Sequence, residues 1–263
     1  MLGAIAGDII GSAYEFGKPA REGFALFTEN SHFTDDSVLT VAAADCILHG
    51  LPYGAAIRQY GLRYPNSGYG GRFRQWLISA DTRPYNSFGN GSAMRVSPVG
   101  FAFDSLERVE SEAQMSAEVT HNHPEGIKGA QAVAVAIFLA RQGAGKDDIL
   151  NCVCERYHYD SEQYRFHLRR KLADISAEWG TFESCQDTVP PALIIFRECR
   201  SYEDCIRKAV WLGGDTDTLA CIAGGIAQAF YRVIPPHIIA GAQKRMDAPL
   251  LGVIDEFNQR YLL

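Results

Sequence analysis

The stretch TDDSVLTVAAADCILHG, Thr34–Gly50, decides the fold class of this chain. Its apolar residues recur at helical spacing and cover more than one face, which predicts a centrally placed helix over Asp35–His49. The threonine before that helix and the glycine after it are residues that commonly start and stop helices. A second stretch near the other end, GGDTDTLACIAGGIAQAFY (Gly213–Tyr231), also joins an acidic cluster to an apolar run and predicts a helix over Leu219–Tyr231.

Helical spacing dominates the rest of the chain, and no convincing strand pattern interrupts it. Ala132–Ala136 alternates only small and β-branched apolar residues, and it lies inside a longer helical run. Loops are predicted over Gly17–Phe33, Pro65–Gly71 and Asp81–Gly91. The other predicted helices are Leu2–Ser12, Tyr53–Tyr64, Arg72–Ser79, Leu106–Val119, Glu125–Arg141, Asp147–Tyr157, Pro191–Arg200, Tyr202–Leu212 and Asp255–Tyr261. The sequence therefore predicts an all-α protein, and acidic clusters near both ends favour one domain over residues 1–263.

The composition is that of an ordinary globular protein. Of the 263 residues, 47% are hydrophobic and 21% are charged, which is enough apolar material for a substantial core. The formal net charge of −6 gives no support for general nucleic-acid binding, although Arg63, Arg72, Arg74 and Arg83 leave a local basic patch open. The longest apolar tract, Ala132–Ala140, falls well short of the ~20 residues that span a bilayer, so no membrane association is expected.

The cysteines indicate a reducing compartment. They number seven, which is odd, and no Cys-x-x-Cys motif occurs. Cys152 and Cys154 could form a metal or redox pair, but no matching pair of Cys or His residues follows them. We therefore expect reduced thiols in a cytoplasmic protein.

The two acidic clusters carry the strongest chemical signal. Each offers two carboxylates and at least one hydroxyl, with no Cys or His, and such oxygen ligands suit Mg²⁺, Mn²⁺ or Ca²⁺ better than Zn²⁺. If the clusters meet in space, two divalent cations would cancel the charge of four crowded carboxylates. The alternative for either cluster alone is helix capping, worth ~0.3–1 kcal/mol for each acidic residue. The glycine pair before Asp215 permits a tight backbone that capping does not require.

Three weaker features accompany the clusters. Gly89–Arg95 is a Gly-rich turn that runs into a helix, so its backbone N–H groups could hold a phosphate, although a plain turn explains the sequence better when this motif is taken alone. His121 and His123 precede a helix that starts at Pro124, and a structural role or a polar ligand contact suits them better than metal binding. Glu15 follows the first helix among apolar neighbours, and a lone glutamate there is commonly a surface residue.

These motifs together resemble the ADP-ribosylglycohydrolase family, whose members are also called ADP-ribosyl-acceptor hydrolases. Each motif is weak alone, but their common order along nearly the whole chain is specific. Ser37 stands where many members have Thr, which preserves the hydroxyl. The matching segments are Gly3–Asp8 with Gly11 and Glu15, Thr34–Ser37, Gly89–Gly91 with Met94 and Arg95, Thr120–Pro124, Val189–Leu193, and Gly213–Thr218.

The resemblance implies an all-α, single-domain, multi-helix orthogonal bundle with a binuclear centre of two Mg²⁺ or Mn²⁺ ions. It implies catalytic roles for Glu15, Asp36 and Asp215, without deciding which carboxylate transfers protons. The metal ligands that it implies are Thr34, Asp35, Asp36, Asp215, Asp217 and Thr218. The residues that it places along the ADP-ribose are Phe88, Gly89, Asn90, Gly91, Ser92, Met94, His121 and His123.

The reaction implied by the resemblance is hydrolysis of the glycosidic bond between ADP-ribose and an acceptor. The acceptor would be a modified protein side chain or a small ADP-ribose conjugate, and the acceptor-recognition loops of the family vary. Two alternatives remain: a non-catalytic ADP-ribose-binding or toxin-immunity protein of the same fold, and a two-metal phosphohydrolase. The presence of all six matched ligands favours an enzyme.

Overall fold

The computed structural model describes residues 1–15, 17, 23–175 and 182–262, and it is all-α, as predicted. Within these residues no β-strand occurs, and one isolated antiparallel bridge joins Gly89 to Ser184. A short 3-10 helix, Ser12–Tyr14, follows the first α-helix. The α-helices are α1 (Leu2–Gly11), α2 (Asp35–His49), α3 (Tyr53–Arg63), α4 (Gly71–Ile78), α5 (Gly91–Met94), α6 (Ser97–Ala102), α7 (Leu106–Glu118), α8 (Pro124–Arg141), α9 (Lys146–Tyr157), α10 (Leu172–Ile175), α11 (Cys185–Glu198), α12 (Tyr202–Leu212), α13 (Thr216–Tyr231), α14 (Pro236–Gln243) and α15 (Ala248–Tyr261).

The predicted start and stop of α2 and the predicted start of α8 at Pro124 are confirmed. The Thr34 hydroxyl accepts a hydrogen bond from the Asp36 backbone N–H at 3.3 Å, and Gly50 ends α2 in the left-handed conformation with φ of 66°. Pro124 is the first residue of α8, and the His123 side chain caps it by accepting from the Glu125 N–H. The local capping chemistry of these segments therefore fixes where two of the longest buried helices begin.

Three predicted helix starts are wrong. Helix α11 begins at Cys185, well before the predicted Pro191, because its apolar residues are fully buried and this packing outweighs the backbone bonds that two internal prolines cannot make. Helix α13 begins at Thr216 rather than Leu219. Helix α15 begins at Ala248 rather than Asp255, since the Asp247 side chain caps it by accepting from the Leu250 N–H at 3.0 Å.

Three helices are absent from the prediction, whereas the predicted loops Pro65–Gly71 and Asp81–Gly91 agree with the structure to within two residues at each end. The missing helices are α6, α10 and α14, which are four to eight residues long and too short to show a clear apolar period. The helix that the Gly89–Arg95 turn was expected to enter is α5. Of the predicted loop Gly17–Phe33, residues 18–22 lie outside the described part, and the remainder contains no helix.

Helices α1 and α13 run antiparallel and touch backbone to backbone. Gly3, Gly7 and Gly11 form one stripe of α1, and they face Gly224, Ala220 and Thr216 of α13 in turn. A Cβ atom built on Gly7 would lie 2.1 Å from the Ala220 carbonyl oxygen, and one on Gly11 would lie 2.4 Å from that of Thr216. No side chain larger than hydrogen fits at these positions, so glycine sets the distance between the two helices.

This helix pair lies at the centre of the core. Helix α13 also packs against α8, α11 and α12, while α1 also packs against α2, α12 and α14. Every residue of α1 is buried, including Asp8. The arrangement brings the C-terminal half of α1 beside the N-termini of α2 and α13, which carry the two acidic clusters.

The structure bears on the expectations about membrane association and about the cysteines. In the described residues, no helix combines the length and the apolar character that crossing a bilayer requires. All seven cysteines are free thiols, and Cys152 and Cys154 do not pair.

The α1–α13 contact generates a stability prediction. Gly7→Ala should lower the free energy of unfolding by about 1–3 kcal/mol, because the added methyl group overlaps backbone atoms that cannot rotate away. Gly252→Ala is the matched control, since a Cβ there meets nothing within 4 Å and alanine favours the exposed α15 helix by up to ~1 kcal/mol. Denaturant unfolding of both variants measures the effect, and wild-type stability of Gly7→Ala would contradict the packing argument.

Candidate metal centre and active site

Carboxylates from four separate segments converge where α1, α2 and α13 meet. Asp8, Asp36 and Asp217 are each at most 4% exposed, and each contributes an oxygen atom that lies within 4.8 Å of the other two. Glu15, Asp215 and Asp217 form a second group by the same measure. The two groups share Asp217, so they are one continuous acidic centre. The structure thus brings the two clusters together, as the metal hypothesis requires.

Asp36 has an oxygen atom with no protein partner. Its Oδ2 accepts from the Thr218 hydroxyl at 3.2 Å, whereas its buried Oδ1 has no hydrogen-bond donor in the part of the chain that the structure describes. An unsatisfied buried carboxylate oxygen is costly, by about 1–3 kcal/mol or more. A divalent cation is a partner that would satisfy this oxygen and its neighbours together.

The electrostatics of the centre also call for positive charge. Burial, and then the neighbouring Asp217, raise the pKa of Asp8 to about 7. The same two causes hold the pKa of Asp36 and of Asp215 well above the ordinary carboxyl value. Among the described residues, no ion pair joins these carboxylates to Lys, Arg or His. In the described part of the chain these carboxylates have no cationic partner, and their all-oxygen donor set fits hard divalent cations.

Asp8 is the residue that the sequence interpretation missed. It lies inside the first helix and accepts four hydrogen bonds: from the backbone N–H groups of Thr34 and Ser37, both at 3.0 Å, and from both hydroxyl groups. The Thr34 hydroxyl donates to Asp8 at 2.7 Å and does not line the cavity. Asp8 therefore anchors the first turn of α2. The sequence feature that could have identified Asp8 is that it is a single carboxylate in the otherwise apolar helix α1.

A cavity of about 360 Å³ opens above the acidic centre. Glu15 lies at its mouth, where the residue remains exposed to solvent. Partial desolvation of its carboxyl, followed by the charge of Asp217, raises the pKa of Glu15 to about 7. The predicted site residues that line the cavity are Glu15, Asp35, Asp36, Gly89, Asn90, Gly91, Met94, His121, Asp215, Asp217 and Thr218. Further lining residues, absent from the predicted set, include Arg72, Tyr85, Arg95 and Glu183.

The Gly-rich loop is tied directly to the acidic centre. The Asn90 side-chain amide donates to Asp215 Oδ2 at 2.7 Å, to Thr188 Oγ1 at 3.2 Å and to the Phe182 carbonyl at 3.0 Å. The Asn90 backbone N–H donates to the Glu183 carbonyl at 3.0 Å. Asn90 thus orients a carboxylate of the centre and holds the loop against the start of α11.

Three predicted ligand-contacting residues do not line the cavity. The Ser92 hydroxyl donates to the Gly126 carbonyl at 2.7 Å, which holds α5 against α8. Phe88 is 46% exposed, and its ring contacts that of His123 with centroids 5.3 Å apart. Phe88 and His123 therefore lie outside the cavity lining, whereas His121 is 5% exposed and belongs to the cavity wall.

Buried carboxylates at the floor of a cavity, in an all-α frame, form the site of an enzyme rather than a nucleic-acid or membrane surface. The sequence model of the ADP-ribosylglycohydrolase family matches residues 1–261, and this chain belongs to that family. By membership it is an ADP-ribosyl glycohydrolase, a hydrolase of glycosyl bonds.

Relatives named as ADP-ribosyl hydrolases agree with the family assignment, and a solved structure agrees with the fold. The chain is 25% identical to the ADP-ribosylhydrolase ARH3 of Mus musculus over 88% of this chain and 82% of the relative. It is 25% identical to the ADP-ribosylarginine hydrolase Tri1 of Pseudomonas putida (strain GB-1), over 97% and 79%. A solved structure described as an ADP-ribosylglycohydrolase-related protein complex has the same fold, with a TM-score of 0.73, 24% identity, and coverage of 99% of this chain and 95% of that one.

The anchoring role of Asp8 generates the second prediction. Asp8→Asn should weaken Mg²⁺ or Mn²⁺ binding by about 10–100-fold, because the amide cannot accept all four hydrogen bonds that hold Thr34 and Ser37. Asp45→Asn is the matched control, since Asp45 lies on α2, the helix whose first turn Asp8 anchors, but contacts Tyr60 and His49 instead. Calorimetric titration with each cation measures the difference, and wild-type affinity in Asp8→Asn would refute the anchoring role.

Proposed function

We propose that this chain is a metal-dependent ADP-ribosyl hydrolase that holds two Mg²⁺ or Mn²⁺ ions. The observation that carries the proposal is that two clusters of three carboxylates have Asp217 in common, so their oxygen atoms form one donor set that would hold two neighbouring divalent cations. The partnerless Oδ1 of Asp36 supports the same conclusion. The proposed ligands are Thr34, Asp35, Asp36, Asp215, Asp217 and Thr218, with Asp8 supporting the start of α2.

The proposed reaction is hydrolysis at C1 of the distal ribose, through a transition state with oxocarbenium character. Bound cations would hold ribose hydroxyls and make a water molecule more acidic. The protein's own contribution is to fix the carboxylates: Asn90 orients Asp215, and Thr218 orients Asp36. Asp36 or Asp215 is then placed to accept a proton from the attacking water, while Glu15 lies at the mouth where the acceptor departs.

The cavity also suits the remainder of an ADP-ribosyl group. Its volume of about 360 Å³ lies within the range of sites for small ligands. We propose that the diphosphate lies along Gly89–Gly91 and that the adenosine extends toward Tyr85 and His121. The substrates would then be ADP-ribosylated proteins or small ADP-ribose conjugates. The arginine acceptor in the name of Tri1 places ADP-ribosyl-arginine first among the acceptors to test.

Two further proposals concern the domain organisation of the chain and the compartment in which it acts. We propose that residues 1–263 form one domain and that the protein acts in the cytoplasm, where its seven free thiols would stay reduced.

Removal of metal is the first test of the proposed function. EDTA should abolish turnover, and added Mg²⁺ or Mn²⁺ should restore it, because the carboxylates alone cannot stabilise the reacting ribose. The substrates are ADP-ribosyl-arginine, ADP-ribosyl-serine and O-acetyl-ADP-ribose. Release of ADP-ribose supports the glycohydrolase, whereas AMP plus ribose phosphate would support the two-metal phosphohydrolase. Binding of ADP-ribose without turnover of any substrate would support the non-catalytic binder.

Glu15 provides a separate test. Glu15→Ala should reduce kcat by about 10²-fold or more, since a carboxylate at the mouth no longer assists the reacting groups. ADP-ribose affinity should change little, because the other carboxylates and the Gly89–Gly91 loop remain. Glu29→Ala is the matched control, as Glu29 is exposed and does not line the cavity. Equal turnover in Glu15→Ala and Glu29→Ala would assign Glu15 to the surface.

A further inference from the structure

His121 has one ring nitrogen committed to the protein and one directed to the cavity. Its Nδ1 lies 2.8 Å from the Thr120 hydroxyl oxygen. Its Nε2 has no hydrogen-bond partner among the described residues, and it lies close to the Gly-rich loop. A Cβ atom built on Gly91 would be 3.1 Å from Nε2, so glycine at this position leaves that nitrogen room to contact a ligand. Whether Nδ1 donates or accepts this hydrogen bond therefore determines whether Nε2 presents a lone pair or a hydrogen atom to the cavity.

Arg95 determines which of the two groups, the Thr120 hydroxyl or His121 Nδ1, donates this hydrogen bond. Its guanidinium is fully buried, and Nη2 donates to the Thr120 hydroxyl oxygen at 3.0 Å and to the Ser116 carbonyl at 2.7 Å. An Arg side chain can only donate, so the Thr120 oxygen accepts this bond. The hydroxyl hydrogen of Thr120 then has one acceptor within reach in the described structure, which is His121 Nδ1. The opposite arrangement would leave that buried hydrogen unpaired.

The ring is also held neutral by its surroundings. Burial, and then the positive charges of Arg95 and Arg72, keep the pKa of His121 well below the ordinary histidine value. A neutral imidazole that accepts at Nδ1 carries its hydrogen on Nε2. A nitrogen that carries hydrogen cannot bind a metal ion, so this histidine is separate from the all-oxygen centre.

We propose that Arg95 and Thr120 are positioning residues that lock His121 as a neutral Nε2–H donor for an oxygen atom of the bound ADP-ribosyl group. This inference rests on the proposed function for the identity of the ligand, but not for the tautomer. The oxygen is one of the phosphate or ribose oxygens that pass the Gly89–Gly91 loop. The contact is made with bound substrate and in the transition state alike, so it contributes to KM rather than to kcat.

The tautomer can be measured without any substrate. Nitrogen-15 NMR of the histidine ring in the Mg²⁺-supplemented protein at neutral pH identifies which nitrogen carries hydrogen, and His121→Gln assigns the signal by its loss. Hydrogen on Nε2 is the expected result. Hydrogen on Nδ1 would overturn the inference, whatever the enzyme hydrolyses.

The role in binding is tested with Thr120→Val, which keeps the shape of the side chain and removes the hydroxyl. The ADP-ribose Kd should rise by about three- to tenfold, with KM rising similarly and kcat little changed. Thr120→Ser should restore both the affinity and the tautomer. Thr40→Val is the matched control, because this buried hydroxyl donates to the Met94 carbonyl and does not contact His121.

The outcomes separate the two proposals. A wild-type Kd and an unchanged tautomer in Thr120→Val would overturn the positioning role even if turnover is normal. Absence of turnover in every protein, together with an Nε2–H ring and weakened ADP-ribose binding in Thr120→Val, would overturn the proposed hydrolysis and leave this inference intact.

Discussion

The acidic centre depends on the direct backbone contact between α1 and α13. A Cβ atom on Gly7 would lie 2.1 Å from the Ala220 carbonyl oxygen, so any larger residue would push the helices apart. Asp8 follows Gly7 in α1, and Asp217 lies one turn before Ala220 in α13. The spacing of these two carboxylates is therefore set by glycine packing rather than by interactions between the carboxylates, which repel each other.

That repulsion links the stability of the fold to its ligand. The carboxylates come from α1, α2, α13 and the segment after the 3-10 helix, so they cannot separate without disturbing the core. Hydrogen bonds satisfy Asp8 fully, but they leave Asp36 Oδ1 without a donor. Cation binding to such a centre stabilises the folded state over the unfolded chain, where no preformed site exists. Under the proposed function, bound metal would offset the free energy that packing costs in gathering the carboxylates.

The sequence predicted what local patterns determine and missed what depends on distant partners. The bounds of α2 and α12 follow from apolar spacing and capping residues, and the structure confirms them. The start of α11 was predicted too late, because the cost of Pro190 is local while the burial that outweighs it is tertiary. Asp8 was missed for the same reason: its sequence neighbours are apolar, and its hydrogen-bond partners lie in α2.

The floor of the cavity is formed by helix termini and parts of its walls by segments between helices. This difference bears on how the protein could recognise different substrates. The acidic floor sits on buried helix termini, whereas Tyr85, Gly89 and Glu183 lie on segments between helices. Those segments are held by a few specific bonds, such as that from the Asn86 N–H to the Asn122 side chain at 2.8 Å. Apart from Asn90, which donates to Asp215, a substitution in the walls can alter the groups that meet the ligand without moving the carboxylates, because it does not touch the α1–α13 contact. The chemistry is thus fixed by the core, while recognition of the rest of the substrate is left to residues that can change independently.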